Sequence, residues 1–412
     1  MIKSTSKNKL LKIYFSFLFY FFLAVSLGSC GGGGGGGGDS SSPTPSTTYW
    51  ARAYGGSNSD STHSIQQTSD GGFIVAGETS SFGTNTDVWI LKLDANGNIS
   101  WQKNYGGNGV DVASSIQQTS DGGFIVAGET SSFGTDTDVW ILKLDANGNI
   151  SWQKNYGGNG VDVAHSIQQT SDGGFIVAGE SKSFGTGDRD IWVLKINSSG
   201  GIQWQKTYGE DAADDSAYSV QQTSDGGFIV AGETILTNVG DFWVFKLDAN
   251  GVIQWQKKYG GTNADVANSI RQTSDGGYIV AGGTSSFTHF FGDIWVLKLD
   301  SAGAIQWENT YGGSFSNSAN SIRQNSDGGY IVVGVTASFG ATQDLWVLKL
   351  DGNGNIGSGC SIINTSTATV TTTSVNDEST SVTAYDTNAS VATTTVSPQD
   401  TNATTTTQCS SP

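Results

Sequence analysis

The chain has 412 residues, with 37 acidic side chains against 20 basic ones, 58 glycines, 4 prolines, 3 cysteines and 12 tryptophans. A formal charge of −17 sets it against phosphate backbones, so nucleic acid is excluded as an expected partner. There is no Gly-X-Y period, which excludes collagen, and tryptophan, isoleucine and valine are spread too evenly for wholesale disorder. A packed, β-rich protein remains.

Residues 1–29 read as an export signal, with Lys3, Lys7, Lys9 and Lys12 ahead of an apolar run from Ile13 to Leu27 that is short for a membrane span. The sequence Leu27-Gly28-Ser29-Cys30 resembles a lipobox, where a signal peptidase cleaves before an acylated cysteine. That resemblance implies palmitate-type lipidation of Cys30 and attachment to a bacterial membrane. Gly31 stands where some Gram-negative lipoproteins carry an inner-membrane retention aspartate, which implies the outer membrane. Residues 30–48 then form a Gly/Ser-rich tether with a root-mean-square span of roughly 20–25 Å.

Residues 49–357 are repetitive. A Tyr-Gly motif recurs at Tyr54, Tyr105, Tyr156, Tyr208, Tyr259 and Tyr311, a Ser-Asp-Gly-Gly turn at Asp70, Asp121, Asp172, Asp225, Asp275 and Asp327, and Asp-x-Trp from Asp87 to Asp344. The first unit shows four strand-like stretches: Ser64 to Thr68, Phe73 to Gly77, Asp87 to Leu93 and Ile99 to Tyr105. They are separated by Asp70-Gly71, a Ser/Gly/Thr loop and Asn96-Gly97. Trp89, Leu91 and Leu93 alternate with Val88 and Ile90, so both faces must be covered. Four strands per unit of about 50 residues, buried on both faces, describe a propeller blade. A Trp-x-x-x-Tyr strand at Trp50 stands before the first full unit, and the last unit runs into Gly357-Ser358-Gly359-Cys360 without one. The expected fold is therefore all-β: a six-bladed β-propeller of four-stranded blades, closed by the N-terminal strand pairing with the last repeat.

Units such as Asp121-Gly-Gly-Phe-Ile-Val-Ala-Gly128 and Asp138-Val-Trp-Ile-Leu-Lys-Leu-Asp145-Ala-Asn-Gly148 resemble the bacterial β-propeller repeat called SBBP, found in exported proteins. The resemblance implies a fold and carries no common activity. The Gly97-x-x-x-Trp101 spacing is similar to the tryptophan-docking motif of quinoprotein propellers and implies an indole wedged between adjacent blades.

Residues kept in all six units point to packing before chemistry. Asp87 and its equivalents fit a strand-start acceptor, and Gln67, Gln118, Gln169, Gln222, Gln272 and Gln324 a polar ladder. The turn Asp94-Ala-Asn96-Gly97-Asn98 has a calcium-like spacing but loses oxygen ligands from unit to unit, as a hairpin would. Asp60, Asp111, Asp162, Asp214 and Asp265, with Asn317 as the exception, follow each tyrosine by six residues. They either cap the next strand or gather into a ring for a cation, Ca2+ being the candidate, or a cationic ligand. Glu78, Glu129, Glu180 and Glu233 recur and give way to Gly283 and Val335. No metal-ligand spacing of His or Cys occurs, and His63, His165 and His289 form no His-x-x-x-His pair.

The loops Thr234 to Gly240 and Ser285 to Gly292, the latter carrying Phe287, Phe290 and Phe291, break the symmetry. The Thr/Ser-rich tail, residues 358–412, is too poor in large apolar groups for a core and reads as extended and solvated. Cys360 and Cys409 bracket it as a candidate disulfide. The expectation is a lipid-anchored envelope module that binds or scaffolds an envelope protein or glycan without chemistry, with a carbohydrate-active enzyme or an envelope-assembly lipoprotein as alternatives.

Overall fold

The computed structural model describes residues 52–356, apart from 186–187, 211–212, 237–238, 288–290 and 339–341, together with six short backbone strands between 363 and 400. Residues 1–48, with Cys30, lie outside the described residues, as do Phe290, Cys360 and Cys409. The described chain is a six-bladed β-propeller of antiparallel blades without a helix. Blade 1 consists of Asp60–Gln67, Phe73–Thr79, Asp87–Leu93 and Ile99–Gly106, hydrogen-bonded in that order. Blades 2 to 5 repeat it, and the first strands of successive blades are neighbours.

Each seam between blades is built from the same apolar set, because the alternating residues of the second and third strands point to opposite faces. At the first seam Ile74, Ala76, Val88, Ile90 and Tyr105 of blade 1 meet Ile116, Phe124, Val126, Trp140 and Leu142 of blade 2. Trp101 leaves the fourth strand to sit against Phe124 at a ring separation of 5.8 Å and donates to the Ala146 carbonyl. It is the wedge between blades that its spacing implied. A Cβ on Gly148 would lie 2.8 Å from that indole, so the tight turn at φ +75° and the close approach both require glycine there.

Next to the wedge, a tyrosine hydroxyl donates across every seam, as Tyr105 does to the Gly148 carbonyl at 2.7 Å and Tyr208 to the Gly251 carbonyl at 2.7 Å. Tyr208 is fully buried, so its removal strands a carbonyl away from water. Tyr208→Phe is expected to lower unfolding stability by about 1–2 kcal/mol with no change of shape, measurable by urea denaturation with circular dichroism.

The closing strand departs from expectation. Arg52–Ala53 pairs with Gln399–Asp400 of the tail, and Asp344–Leu350 of blade 6 pairs only with Tyr330–Thr336 among the described residues. Blade 6 therefore has three described strands, and closure through the N-terminal strand is not seen among the described residues: Trp50 lies outside them, and Arg52–Ala53 pairs with the tail. The reason lies in what the Trp-x-x-x-Tyr signal encodes. Tyr54 donates to the Gly97 carbonyl at 2.6 Å, as Tyr105 does one blade later. The motif thus fixes docking on the following blade, and says nothing about which strand lies beside it in its own sheet.

The tail also departs from a freely solvated coil. Ile363–Thr365, Thr369–Thr372, Glu378–Ser379, Tyr385–Asp386 and Ser390–Thr393 pair with the fourth strands of blades 5, 4, 3, 2 and 1 in turn. A Thr/Val-rich sequence suits this, since pairing needs backbone donors and β-branched residues rather than a core.

Candidate functional site

Of the five strand-start aspartates expected to ring a channel mouth, four are loop caps, three of them buried. Asp111 accepts from the Thr130 hydroxyl, from Gly107 N at 2.9 Å and from Ser132 Oγ at 2.7 Å. Asp162 does the same with Ser181, Gly158 N and Ser183, and Asp60 with Thr79, Gly56 N and Ser81. Asp265 accepts from Gly261 N and Ser286. In blade 4 the loop is one residue longer, so the cap is Asp215, whose carboxylate accepts from Glu210 N, and not Asp214. Asp214 instead faces Arg189 at 3.9 Å. Counting six residues from Tyr208 missed that insertion.

At each of the five seams the cap faces the Asp87-type residue of the preceding blade. A Cβ on Gly157 would lie 1.9 Å from Asp138 Oδ1 and 2.8 Å from Asp162 Oδ2, so the two oxygens are within about 5 Å. Asp138 Oδ2 accepts from Asn155 Nδ2, while Oδ1 is buried without a hydrogen-bond partner. Burial first, then the Asp162 charge, pushes Asp138 up to about 6 despite the Asn155 bond. At the last seam the cap is Asn317, and its Nδ2 donates to Asp293 Oδ1 at 3.0 Å. Among the described residues no group of three or more His, Cys, Asp or Glu side chains is gathered as for a metal ion.

Symmetry is broken where the first and second strands of blades 2 to 4 meet. In each first strand one residue is bulged out of register with its partner strand, at His63, Ser114, His165, Tyr218, Asn268 and Asn320. The bulge frees that side chain from the repeat, so its identity can change without disturbing the core. In blade 3 it is His165, whose Nε2 lies 3.7 Å from Glu180 Oε2. Arg189 NH1 sits 3.1 Å from both Glu180 oxygens, and the Ser216 hydroxyl also donates to Glu180. In blade 4 the bulged Tyr218 donates to Glu233 at 2.6 Å and packs its ring 5.1 Å from that of His165.

These contacts divide three neighbouring carboxyls into two kinds. Burial raises Glu180, but the His165 bond and charge, the Ser216 bond and Arg189 outweigh it and hold the carboxyl at about 2. Burial raises Glu233, assisted by the Glu180 charge and opposed by the Tyr218 bond. Glu129 is also raised, by burial and by Glu180 and Glu78. The site thus presents one fixed carboxylate between two carboxyls that resist ionisation, beside a phenol and an imidazole. His165, Glu180 and Arg189 remain partly open to solvent.

Glu129, Glu180 and Glu233 were visible in the sequence as a repeat feature. Arg189 and Tyr218 were not, although one signal was present: the bulge position changes in type between units while Ser64-Ile65 and its equivalents beside it stay Ser followed by Ile or Val.

Compared with known proteins, the chain matches no described protein family and no curated protein. Among solved structures it is similar to Sqt1 of Chaetomium thermophilum, at 13% identity and a TM-score of 0.41, over 76% of this chain and 87% of that one. Sqt1 has also been solved bound to the N-terminus of the ribosomal protein L10, with a TM-score of 0.42, 13% identity and coverage of 73% and 87%. A mannose phosphorylase from Leishmania mexicana, MPT-4, is similar at 11% identity and a TM-score of 0.31, over 58% of this chain and 86% of that one.

Proposed function

We propose that this chain is a binding module of the bacterial envelope, held at the membrane through lipid on Cys30, which takes an envelope protein at the inner-strand face of blades 2 to 4 and performs no chemistry there. The observation that carries the reading is the His165, Glu180, Arg189, Tyr218 and Glu233 cluster, a patch of unlike side chains on an otherwise repeated surface. A repeat scaffold that only had to fold gains nothing from these departures. Glu129 and Glu233 ionise at a cost that the charges of His165 and, for Glu233, Arg189 offset only in part, so a basic side chain of a partner would be stabilised between them.

The test is recovery of a partner from detergent-solubilised envelopes with the full chain. Recovery is expected to fall about tenfold in the Glu129→Gln/Glu233→Gln variant, with the melting curve unchanged, and the Cys30→Ser variant is expected to leave the membrane fraction. Equal recovery by the glutamine variant would defeat the reading.

One observation favours the alternative of a carbohydrate-active enzyme: neighbouring carboxyls with opposed ionisation, Glu180 low and Glu233 high, are what acid and base roles need. Against it, Glu180 is held by Arg189 and Ser216. Hydrolysis across a glycan panel that disappears in Glu233→Gln would favour the enzyme.

A further inference from the structure

The second-last residue of each first strand is Gln66, Gln117, Gln168 and Gln221 in blades 1 to 4, then Arg271 and Arg323 in blades 5 and 6. The glutamines share one task. Gln66 Oε1 accepts from Gln118 N at 2.6 Å across the seam, and Gln117, Gln168 and Gln221 repeat the bond to Gln169 N, Gln222 N and Gln272 N. The next amide in the series is Gln324 N, and there the side chain opposite is Arg271. A guanidinium has no acceptor to offer, so Gln324 N loses the bond that its equivalents have.

Arg271 turns back to the preceding blade. Its Nη1 donates to the Ser219 hydroxyl at 3.0 Å and to the Ile270 carbonyl at 2.7 Å, which leaves the Nε and Nη2 edge without a partner among the described residues. Arg323, exposed on the adjoining first strand, has no hydrogen bond or ion pair among the described residues. Half-buried Arg271 is pushed down to about 10, by burial first and then by the Arg323 charge. The acids at this end of the blades are already engaged, since Asp225, Asp275 and Asp327 pair with Lys246, Lys298 and Lys349. In a chain with 37 acidic side chains against 20 basic ones, two adjoining arginines without a carboxylate are a marked departure. The exchange of glutamine for arginine removes an acceptor and adds repulsion, and a bound anion would reverse both effects.

We propose that Arg271, Arg323 and Gln324 N form an oxyanion site on the inner strands of blades 5 and 6, which takes a phosphate dianion, free or as a phosphate monoester. The free edge of Arg271 presents two parallel N–H groups, the fork that matches two oxygens of one phosphate. A third oxygen is then left for Arg323 and Gln324 N. Two guanidinium charges call for a dianion, because a carboxylate would neutralise one of them only. This site is separate from the Glu180 cluster, whose blades carry glutamine at this position.

The test is calorimetric titration of the full chain with inorganic phosphate at pH 7.5 and fixed ionic strength. One saturable site is expected, with a Kd of about 1 mM or tighter. Arg271→Gln and Arg323→Gln are each expected to weaken it about tenfold or more. Arg271→Gln restores the residue of the other blades, so its melting temperature without phosphate is expected to equal or exceed that of the parent chain, which separates lost binding from lost folding. O-phosphoserine distinguishes the two sources: binding equal to that of phosphate assigns a monoester, and binding of phosphate alone assigns the free ion. The proposal is overturned if phosphate does not saturate, if the Arg271→Gln/Arg323→Gln variant binds it as well as the parent, or if acetate binds as tightly as phosphate. That last result would make the occupant a carboxylate.

Discussion

Asparagine in place of Asp138 is expected to raise stability at pH 7.5 by about 2–3 kcal/mol, and at pH 4.5 by only about 1 kcal/mol. The carboxyl is pushed up to about 6 in the folded chain, by burial first and then by Asp162 and Asp136, against 3.8 for the free side chain. A group whose folded value is raised contributes stability that is complete below pH 3.8 and is lost as pH rises through 6. Asp215 is raised to about 6 as well, chiefly by burial, with the Asp190 charge adding to it, and Asp87 and Asp241 are raised by burial and by Asp111 and Asp265. Four seams thus carry a facing pair of aspartates that favours one proton between them. At the fifth seam Asn317 supplies that hydrogen permanently, donating to Asp293. In Asp138→Asn the new Nδ2 faces Asp162 in the same way, while Oδ1 can still accept from Asn155. Urea unfolding at both pH values measures the difference. A gain equal at the two pH values, or a loss at pH 7.5, would show that the pair holds no proton.

The opposite sign is present elsewhere and bounds the acid side. Asp121, Asp172 and Asp275 lie at about 2, where burial is outweighed by the buried lysines Lys143, Lys195 and Lys298 and by a threonine hydroxyl. Glu180 is held equally low by His165, Ser216 and Arg189. Their stability is present above the ordinary carboxyl range and is lost as pH falls through about 2. The aspartates are half exposed, so each of these ion pairs contributes little, and the seam pairs dominate between pH 4 and 7. Maximum stability is therefore expected between about pH 4 and 5, below the usual neutral range.

What could be read from the sequence was whatever the repeat imposes six times. Strand number, the two-sided burial of Asp87–Leu93, the indole wedge of Trp101 and the turn glycines all follow from local pattern, since each is enforced by neighbours within one unit and the next. What could not be read depends on contacts without a fixed sequence offset. The tail strands find fourth-strand edges roughly 50 to 290 residues away, and the pairing of Arg52–Ala53 with Gln399–Asp400 has no signature of its own. Lys92 is a similar omission: its alternation placed it on an apolar face, and only the fold shows its Nζ reaching Asp70 at 2.8 Å and the Leu93 carbonyl at 3.0 Å. The Glu180 cluster needed the bulge at His165, which shifts a side chain off the two-residue period on which the reading rested.

Gly179→Ala is expected to cost about 3 kcal/mol. Gly179 lies in the second strand of blade 3, opposite Ala164 and beside the His165 bulge. An added Cβ would stand 1.9 Å from the Val163 carbonyl oxygen and 2.9 Å from Ala164 Cα, and both obstacles are backbone that cannot rotate away. Relief would require the bulge to flatten, which turns His165 from Glu180 and slips the first strand against the second. The loss should therefore appear twice, as a lower midpoint in urea and as a changed His165 ring signal in nuclear magnetic resonance. Gly173→Ala, in the Asp172-Gly173 turn of the same blade, is the contrast: nothing lies within 4 Å of its added Cβ, and only the φ of +80° opposes the side chain. That change is expected to cost about 1 kcal/mol and to leave the His165 signal where it was. If the two variants proved equally stable, steric closure at the bulge would not be what fixes the inner strands, and the placement of Glu180 among His165, Arg189 and Ser216 would need another cause.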